Sequence, residues 1–474
     1  MSPNDSSRIF KKLKSNIMKK FDAIIIGSGQ AGTPLAFRLA SEGWKVAFIE
    51  KEKVGGTCLN TGCTPTKAYV ASARRMWDAR NGAELGVNIP EGVSVDLKKV
   101  KQRKDEMIKG SVDGITSSLN SNDNIQFFRE KARFLSDKVV EVNGEEITAD
   151  KIFINVGGSA FIPEGFSDVN YLTNKTILEL EEVPEHLVIV GGSYIGLEFG
   201  QMFRRFGSKV TIVERGDGLI KREDEDVSAT IEEFLKEEGV EIHLNSDCIS
   251  GEACENGRIR VQMNCIGETR HIEGSHLLLA TGRKPNTADL GLENTSLKVD
   301  KTGNIVVDDK LQTNVEGVYA LGDCNGKGAF THTAYNDFEI VAANLLEGGD
   351  RKVSDRILIY GLFVDPPLGR VGLTKAQALD KGYDILEAYR PMSKVARAKE
   401  KGETRGFMRI IIDKNTEKIL GASILGVGGD EVVGAIANLM YADSPYTVLR
   451  DSVQVHPTVS ELLPTMLENP QPVD

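Results

Sequence analysis

Two stretches of the chain carry the same order of apolar and polar positions. In FDAIIIGSGQAGTPLAFRLASEGWKVAFIE, residues 21–50, a short apolar run meets a Gly-rich turn, an amphipathic stretch and a Gly stop. A second apolar run then ends on an acid. HLVIVGGSYIGLEFGQMFRRFGSKVTIVE, starting at His186, repeats this at an offset of 164 residues, so that Gly27 maps to Gly191, Gly32 to Gly196, Gly43 to Gly207 and Glu50 to Glu214. Strand, turn, helix and strand in that order predict a βαβ unit on a parallel sheet, made twice. Toward the C-terminus, the apolar runs GFMRIIID and KILGASILG predict strands, with a helix near 430–442. The expected fold is α/β: two Rossmann-like dinucleotide-binding domains followed by a C-terminal α+β domain. No uninterrupted apolar run reaches the ~18–20 residues a membrane span needs.

The repeated turn carries chemistry. Gly27 permits a tight turn, Gly29 lets backbone approach a pyrophosphate, and Gly32 lets helix and strand pack closely. The helix N-terminus offers free N–H groups to phosphate oxygens. Glu50 is placed to accept hydrogen bonds from ribose hydroxyls. A βαβ turn that binds nothing is the plainer alternative, but strand, helix and acid are all in place. The second copy has Ser193 where the first has Gly29, and Ser is still small enough for close approach. Glu214 would repel a 2′-phosphate, which tips the balance toward NADH over NADPH. Arg215, Lys221 and Arg222 lie just beyond and could serve a phosphate. Two dinucleotide folds imply two dinucleotides, and a flavin with a nicotinamide would make a hydride relay.

Composition narrows the classes. At roughly 100–200 residues per domain, a chain of 474 residues suggests three domains. The net charge of −11 disfavours nucleic acid as a partner. Gly is abundant, 48 residues, and the repeats account for part of it. Residues 1–20 are basic with no apolar core, so they are expected to be a disordered extension rather than a secretory signal; the tail ENPQPVD reads as frayed. Six Cys cannot make a disulfide scaffold.

Two of those six, Cys58 and Cys63, stand four residues apart between the repeats, in GGTCLNTGCTPTKAYVASARRMW. In a reducing, cytoplasmic setting a close pair is more often metal-binding or catalytic than structural. Zinc would need a second Cys or His pair, and Cys248, Cys254, Cys265, Cys324 and the six scattered His offer none, so no metal is expected. A Gly-rich loop could fold back to bring the two sulfurs together. Pro65 suits a first helical turn, which puts Cys63 at a helix N-terminus, where the dipole favours a thiolate. Lys67, one turn on, adds positive charge.

The stretch GGTCLNTGCTPTK closely resembles the active-site signature of the flavin-dependent disulfide reductases, among them dihydrolipoamide dehydrogenase, glutathione reductase and mercuric reductase. The resemblance continues in ATGRKPNT (280–287), YALGDCNG (319–326) and HPTVSE (456–461), and so covers nearly the whole chain. INVGGS (154–159) departs from the family's more usual ATG sequence.

The resemblance implies an FAD domain at 21–155 and 275–350, an NAD(P) domain at 156–274, and a dimerisation domain at 351–474. It implies FAD contacts at Gly27, Gly29, Gly32, Glu50, Lys51, Gly56, Thr57, Lys67, Asp323 and Thr331. NAD(P) contacts are implied at Gly191, Gly196, Glu198, Glu214 and Gly282. Lys67 and Glu198 would pair beside the flavin; either alone would be an ordinary helix charge. Tyr194 reads as a gate over the nicotinamide face or as packing. His456, with Glu461 fixing its tautomer, would move protons. It would come from the second subunit of a homodimer with a shared active site.

Hydride would then pass from nicotinamide through flavin to a Cys58–Cys63 disulfide and on to a small disulfide or thiol-reactive substrate. Interior segments such as RRFGSKVTIVER look mercuric-reductase-like. No vicinal Cys pair near the C-terminus and no N-terminal CxxC domain is present, however, which argues against mercury, a soft metal wanting thiolates. Dihydrolipoamide dehydrogenase, oxidising a dithiol with NAD⁺, is the main rival, and Glu214 disfavours glutathione reductase. A similar NADH oxidase would keep only one active-site Cys. A flavoprotein sensor with vestigial catalysis would lack one of Cys58, Cys63, Lys67, His456 or Glu461, and none is lacking. No nucleic-acid or membrane partner is expected.

Overall fold

A computed structural model describes residues 18–473 apart from Asn256 and Ile266. Residues 1–17 of the expected basic extension lie outside the described residues. The chain forms two compact units. Among the described residues the first comprises 18–63, Met107–Ser159 and Arg283–Asp355, and the second Thr64–Glu106, Ala160–Gly282 and 356–473.

The first unit is built on a seven-stranded sheet. Strand Lys19–Ile26 lies between Val46–Ile49 and Glu145–Ile154, parallel to both. Ile24, Ile25, Phe48, Ile152 and Phe153 are wholly buried, as strands covered on both faces require. The strand begins at Lys19, two residues ahead of the expected boundary, because Lys19 and Lys20 continue the ladder opposite Ile147 and Thr148. Helix Gly32–Ser41 follows the Gly-rich turn and buries Leu35, Ala36 and Leu39.

The second unit repeats the plan with a four-stranded parallel sheet in the order Glu241–His243, Lys209–Val213, His186–Val190 and His276–Leu279. Helix Tyr194–Phe206 follows its turn. A three-stranded antiparallel meander, Ser246–Ala253, Ile259–Cys265 and Glu268–Gly274, is joined to it in sequence. Residues 356–474 supply a six-stranded antiparallel sheet. Helix Gly429–Tyr441 packs on it through Val433, Ile436 and Ala437. The tail is not frayed as expected: Gln471 and Pro472 pair with Glu387 and Leu386 on the sheet edge, whose open ladder gives them partners. Among the described residues no helix is long and apolar enough to cross a membrane.

Candidate active site

In the first turn each glycine has its own steric reason. Gly27 has φ +103°, and a Cβ there would sit 2.3 Å from the Asn155 carbonyl oxygen. A Cβ on Gly32 would sit 2.2 Å from the Gly27 carbonyl, which is the close helix-to-turn packing expected. A Cβ on Gly29 would meet the Asn155 side-chain amide at 2.8 Å. Asn155 is buried, and its hydrogen-bonded orientation takes the Gly29 and Gly32 N–H groups at 3.2 and 2.8 Å while donating to Leu321 O at 3.1 Å. It ties the first turn to the YALGDCNG segment. The INVGGS departure was its sequence signal, but burial and hydrogen-bond direction are needed to see the role.

Glu50 closes the other side, accepting from Ser28 N at 2.9 Å, Ser28 Oγ at 2.6 Å and Glu52 N at 2.8 Å. Ser28 Oγ in turn accepts from Gly55 N at 3.0 Å. A Cβ on Gly56 would lie 2.8 Å from the Gly29 Cα. The cradle between these turns is open only because its members lack side chains, and its donors and acid suit a flavin dinucleotide. Thr57 is half-buried in the helix that follows, and Lys51 is exposed.

The Cys-containing loop is a short helix, Gly56–Thr61, rather than an open turn; Gly55 and Gly56 enter it at φ +95° and +61°. Gly62 breaks it, and Cys63 opens the long helix Cys63–Asn81. Cys58 is half-buried and Cys63 exposed, both as thiols. The Cys58 thiol is pushed well up, first by its hydrogen bond with Cys63, then by burial, then by charge on the Cys63 sulfur. Thr331 Oγ1 lies 3.2 Å from Cys63 Sγ. Burial pushes the Asp323 carboxyl up, opposed by Arg283, whose Nε stands 3.5 Å away.

The second turn repeats the first. Gly191 has φ +115° and Gly282, at the end of the partner strand, +128°. A Cβ on Gly191 would sit 2.4 Å from the Ala280 carbonyl, and one on Gly196 2.0 Å from the Gly191 carbonyl. Glu214 accepts from Gly192 N at 2.6 Å and Gly216 N at 2.7 Å. On helix Tyr194–Phe206, buried Glu198 receives Lys67 Nζ at 2.9 and 2.8 Å and the Phe363 N–H at 3.0 Å. Lys67 Nζ also stands 4.5 Å from the Phe363 ring centroid. In the C-terminal region, exposed His456 holds Glu461 Oε2 at 2.7 Å through Nδ1, which leaves Nε2 facing outward to act. Val453 and Val455 beside it are also exposed, 98% and 75%. Sequence reasoning missed Ser28, bonded to Glu50 and Gly55, and Phe363, whose N–H reaches Glu198, because these contacts join residues far apart in the chain.

Comparison with known proteins agrees with this architecture. Residues 21–337 match the pyridine nucleotide-disulphide oxidoreductase family, and residues 360–467 match the dimerisation domain of the same family. The probable pyridine nucleotide-disulfide oxidoreductase RclA of Escherichia coli is 37% identical over 94% of this chain and 98% of its own. A mercuric reductase of Staphylococcus aureus is 34% identical over 93% of this chain and 81% of its own. Among solved structures, a Cu(II) complex of the HOCl-induced flavoprotein disulfide reductase RclA from Escherichia coli aligns with TM-score 0.83 at 37% identity, covering 93% of this chain and 98% of that one. With matches across both halves, the chain belongs to the pyridine nucleotide-disulphide oxidoreductase family, and with it come FAD, a nicotinamide nucleotide and the flavoprotein disulfide reductase activity.

Proposed function

We propose that Cys58 and Cys63 are the redox pair of an NADH-preferring disulfide reductase. The observation that carries this is the two free cysteines at the junction of helices Gly56–Thr61 and Cys63–Asn81, with Thr331 on the Cys63 sulfur. Cys58 is the interchange thiol. The thiolate is the attacking species, so Cys58 needs a base, and the outward Nε2 of His456 is that base, with Glu461 stabilising the imidazolium. Cys58 displaces one substrate thiol, which leaves with the proton from His456. Cys63 then displaces the second thiol and closes the Cys58–Cys63 disulfide. Bound FAD supplies the electrons that reopen the disulfide, drawing them from the nicotinamide nucleotide.

Gly27, Gly29, Gly32, Glu50, Lys51, Gly56, Thr57, Asp323 and Thr331 hold the flavin in this reading. Gly191, Gly196, Glu214 and Gly282 hold the nicotinamide nucleotide, and Lys67 with Glu198 forms the ion pair of the second unit. Tyr194, four residues before Glu198 on the same helix face, covers the nicotinamide position. Exposure of Val453, Val455 and His456 supports a homodimer in which His456 serves the partner's cysteines. The cytoplasm suits a thiol pair in its dithiol form.

A panel of lipoamide, glutathione disulfide, Hg²⁺ and Cu²⁺, each with NADH and with NADPH, tests the reading. Turnover of a disulfide with NADH is expected. Oxidation of dihydrolipoamide by NAD⁺ as the dominant rate would favour the dehydrogenase instead. A soft metal ion is the second reading, favoured by a relative described as a mercuric reductase and another solved with Cu(II). No turnover in any arm, with flavin and both thiols intact, would point to a sensor.

A further inference from the structure

Helices Cys63–Asn81 and Tyr194–Phe206 are tied to each other at two heights. The near tie is Lys67, whose Nζ donates to the two oxygens of Glu198 at 2.9 and 2.8 Å. The far tie is made by Arg74 and Arg205, which both hold the carboxylate of Asp365. Arg74 stands seven residues after Lys67, and Arg205 seven after Glu198. Each helix therefore presents both of its ties on one face, two turns or about 10 Å apart.

One short segment serves both heights. The Phe363 N–H donates to Glu198 Oε1 at 3.0 Å, and the Phe363 ring lies 4.5 Å from Lys67 Nζ. Two residues on, the Asp365 N–H donates to Gln201 Oε1 at 2.7 Å, and the Asp365 carbonyl accepts from Gln201 Nε2 at 2.8 Å. Gln201 is buried and lies between Glu198 and Arg205 on the same helix face. The Asp365 carboxylate takes Arg74 Nη1 at 2.7 and 2.8 Å and Arg205 Nη1 at 2.5 Å.

The two ties differ in stiffness. Lysine reaches its partner on a flexible four-carbon stem, whereas an arginine fork is planar and pre-organised. The lysine pair alone tolerates a slide of one helix along the other, and a second fixed point two turns away removes that freedom. The carboxylate is not needed to neutralise either guanidinium. Arg205 has Glu238 at 2.8 Å through both Nε and Nη2, and Arg74 has Asp78 and Glu403.

We propose that Asp365 is a positioning residue: by holding Arg74 and Arg205 together it sets the offset of the two helices, and so the place of the Lys67–Glu198 pair while electrons leave the nicotinamide nucleotide. This rests on the reading of Glu198 as a nucleotide contact, which the resemblance to the disulfide reductases implies.

The test is stopped-flow reduction of the holoenzyme by NADH, with calorimetric titration of NAD⁺ and hydrogen exchange of the Phe363 amide measured alongside. Asp365→Asn keeps the shape and removes the charge. Arg74→Lys keeps the charge and removes the fork, and it decides the test if Asp365→Asn does not fold. Each should lower the limiting rate of flavin reduction about tenfold, the effect of a small misplacement at a reacting centre. NAD⁺ affinity should hold, because the Gly191 turn and Glu214 are untouched. The Phe363 amide should exchange about tenfold faster, as its acceptor Glu198 is no longer held in place. In a Glu198→Gln background neither variant should slow reduction further. If Glu198→Gln slows reduction but Asp365→Asn and Arg74→Lys do not, the positioning role is overturned and the reading of Glu198 stands. An equal slowing with and without Glu198 makes Asp365 a purely structural anchor and overturns the role too. If Glu198→Gln leaves reduction unchanged, the reading of Glu198 itself fails.

Discussion

The two repeats use the same backbone and different side chains. Both first glycines press on the carbonyl at the end of a neighbouring strand, Asn155 in one and Ala280 in the other. Both last glycines press on the carbonyl of the first. The middle position differs: Gly29 in the first, Ser193 in the second. The reason lies on the opposite strand. Asn155 and Ala280 are equivalent, each donating its N–H to the last residue of the first-repeat or second-repeat strand, Ile26 or Val190. Where that position carries an amide, a Cβ at the middle position would collide with it; where it carries a methyl, Ser fits. Gly29 thus answers to a protein side chain, and the residue at each middle position is matched to the one on the opposite strand.

The largest effects should come from the last glycines. Gly32→Ala and Gly196→Ala each push a Cβ into a backbone carbonyl, at 2.2 and 2.0 Å, and should cost on the order of 3–5 kcal/mol locally. Gly32→Ala should purify without flavin absorbance. Gly196→Ala should stay yellow and resist reduction by NADH. Loss of flavin from both would mean that the repeats do not act separately.

Next comes the pairing of positions 29 and 155. Asn155→Ala strands two N–H groups and a carbonyl, which should cost about 1–3 kcal/mol in chemical denaturation. Gly29→Ser should cost a similar amount alone and much less beside Asn155→Ala, a coupling of about 1–2 kcal/mol. Strict additivity would contradict the explanation given for Ser193.

The two acids should differ as well. Glu214→Ser should shift the ratio of NADH to NADPH affinity about tenfold toward NADPH, the removal of one repulsive charge. Glu50→Ser should leave that preference unchanged and weaken flavin retention instead.

The smallest effect is the pH dependence of stability, which has opposite sign in the two units. Burial raises Asp323, so the folded first unit holds a proton there that the unfolded chain releases, and stability falls as pH rises above the ordinary aspartate value of 3.8. Asp365 is lowered despite its burial, because Arg205 and Arg74 hold it charged; its contribution is full above 3.8 and is lost as pH falls through the folded value. Asp323→Asn and Asp365→Asn should each flatten one limb of the thermal-midpoint profile, by a few degrees, about 1 kcal/mol.

Much of this was legible in the sequence because the turns are local. The spacing of Gly27, Gly29, Gly32 and Glu50, and its copy, depends on residues within one βαβ unit, and GGTCLNTGCTPTK lies in one stretch. What sequence could not show were contacts across long separations. Asn155 lies more than a hundred residues from Gly29, and Phe363 is as far from Glu198, whose carboxylate takes its N–H. Gln and Pro in the tail look like coil, yet an open sheet edge recruits them. Gly55 and Gly56 break the local pattern around Cys58 and suggest a loop, although their positive φ angles start a helix.

The central claim is that Cys58 and Cys63 cycle between disulfide and dithiol at the expense of reduced nicotinamide. The direct measurement is mass-spectrometric thiol labelling of the anaerobic holoenzyme before and after one equivalent of NADH. Both cysteines should be unlabelled in the oxidised protein and both labelled after NADH, with Cys254 and Cys324 unchanged. Labelling that is the same with and without NADH, or that moves at only one of the two, would contradict it.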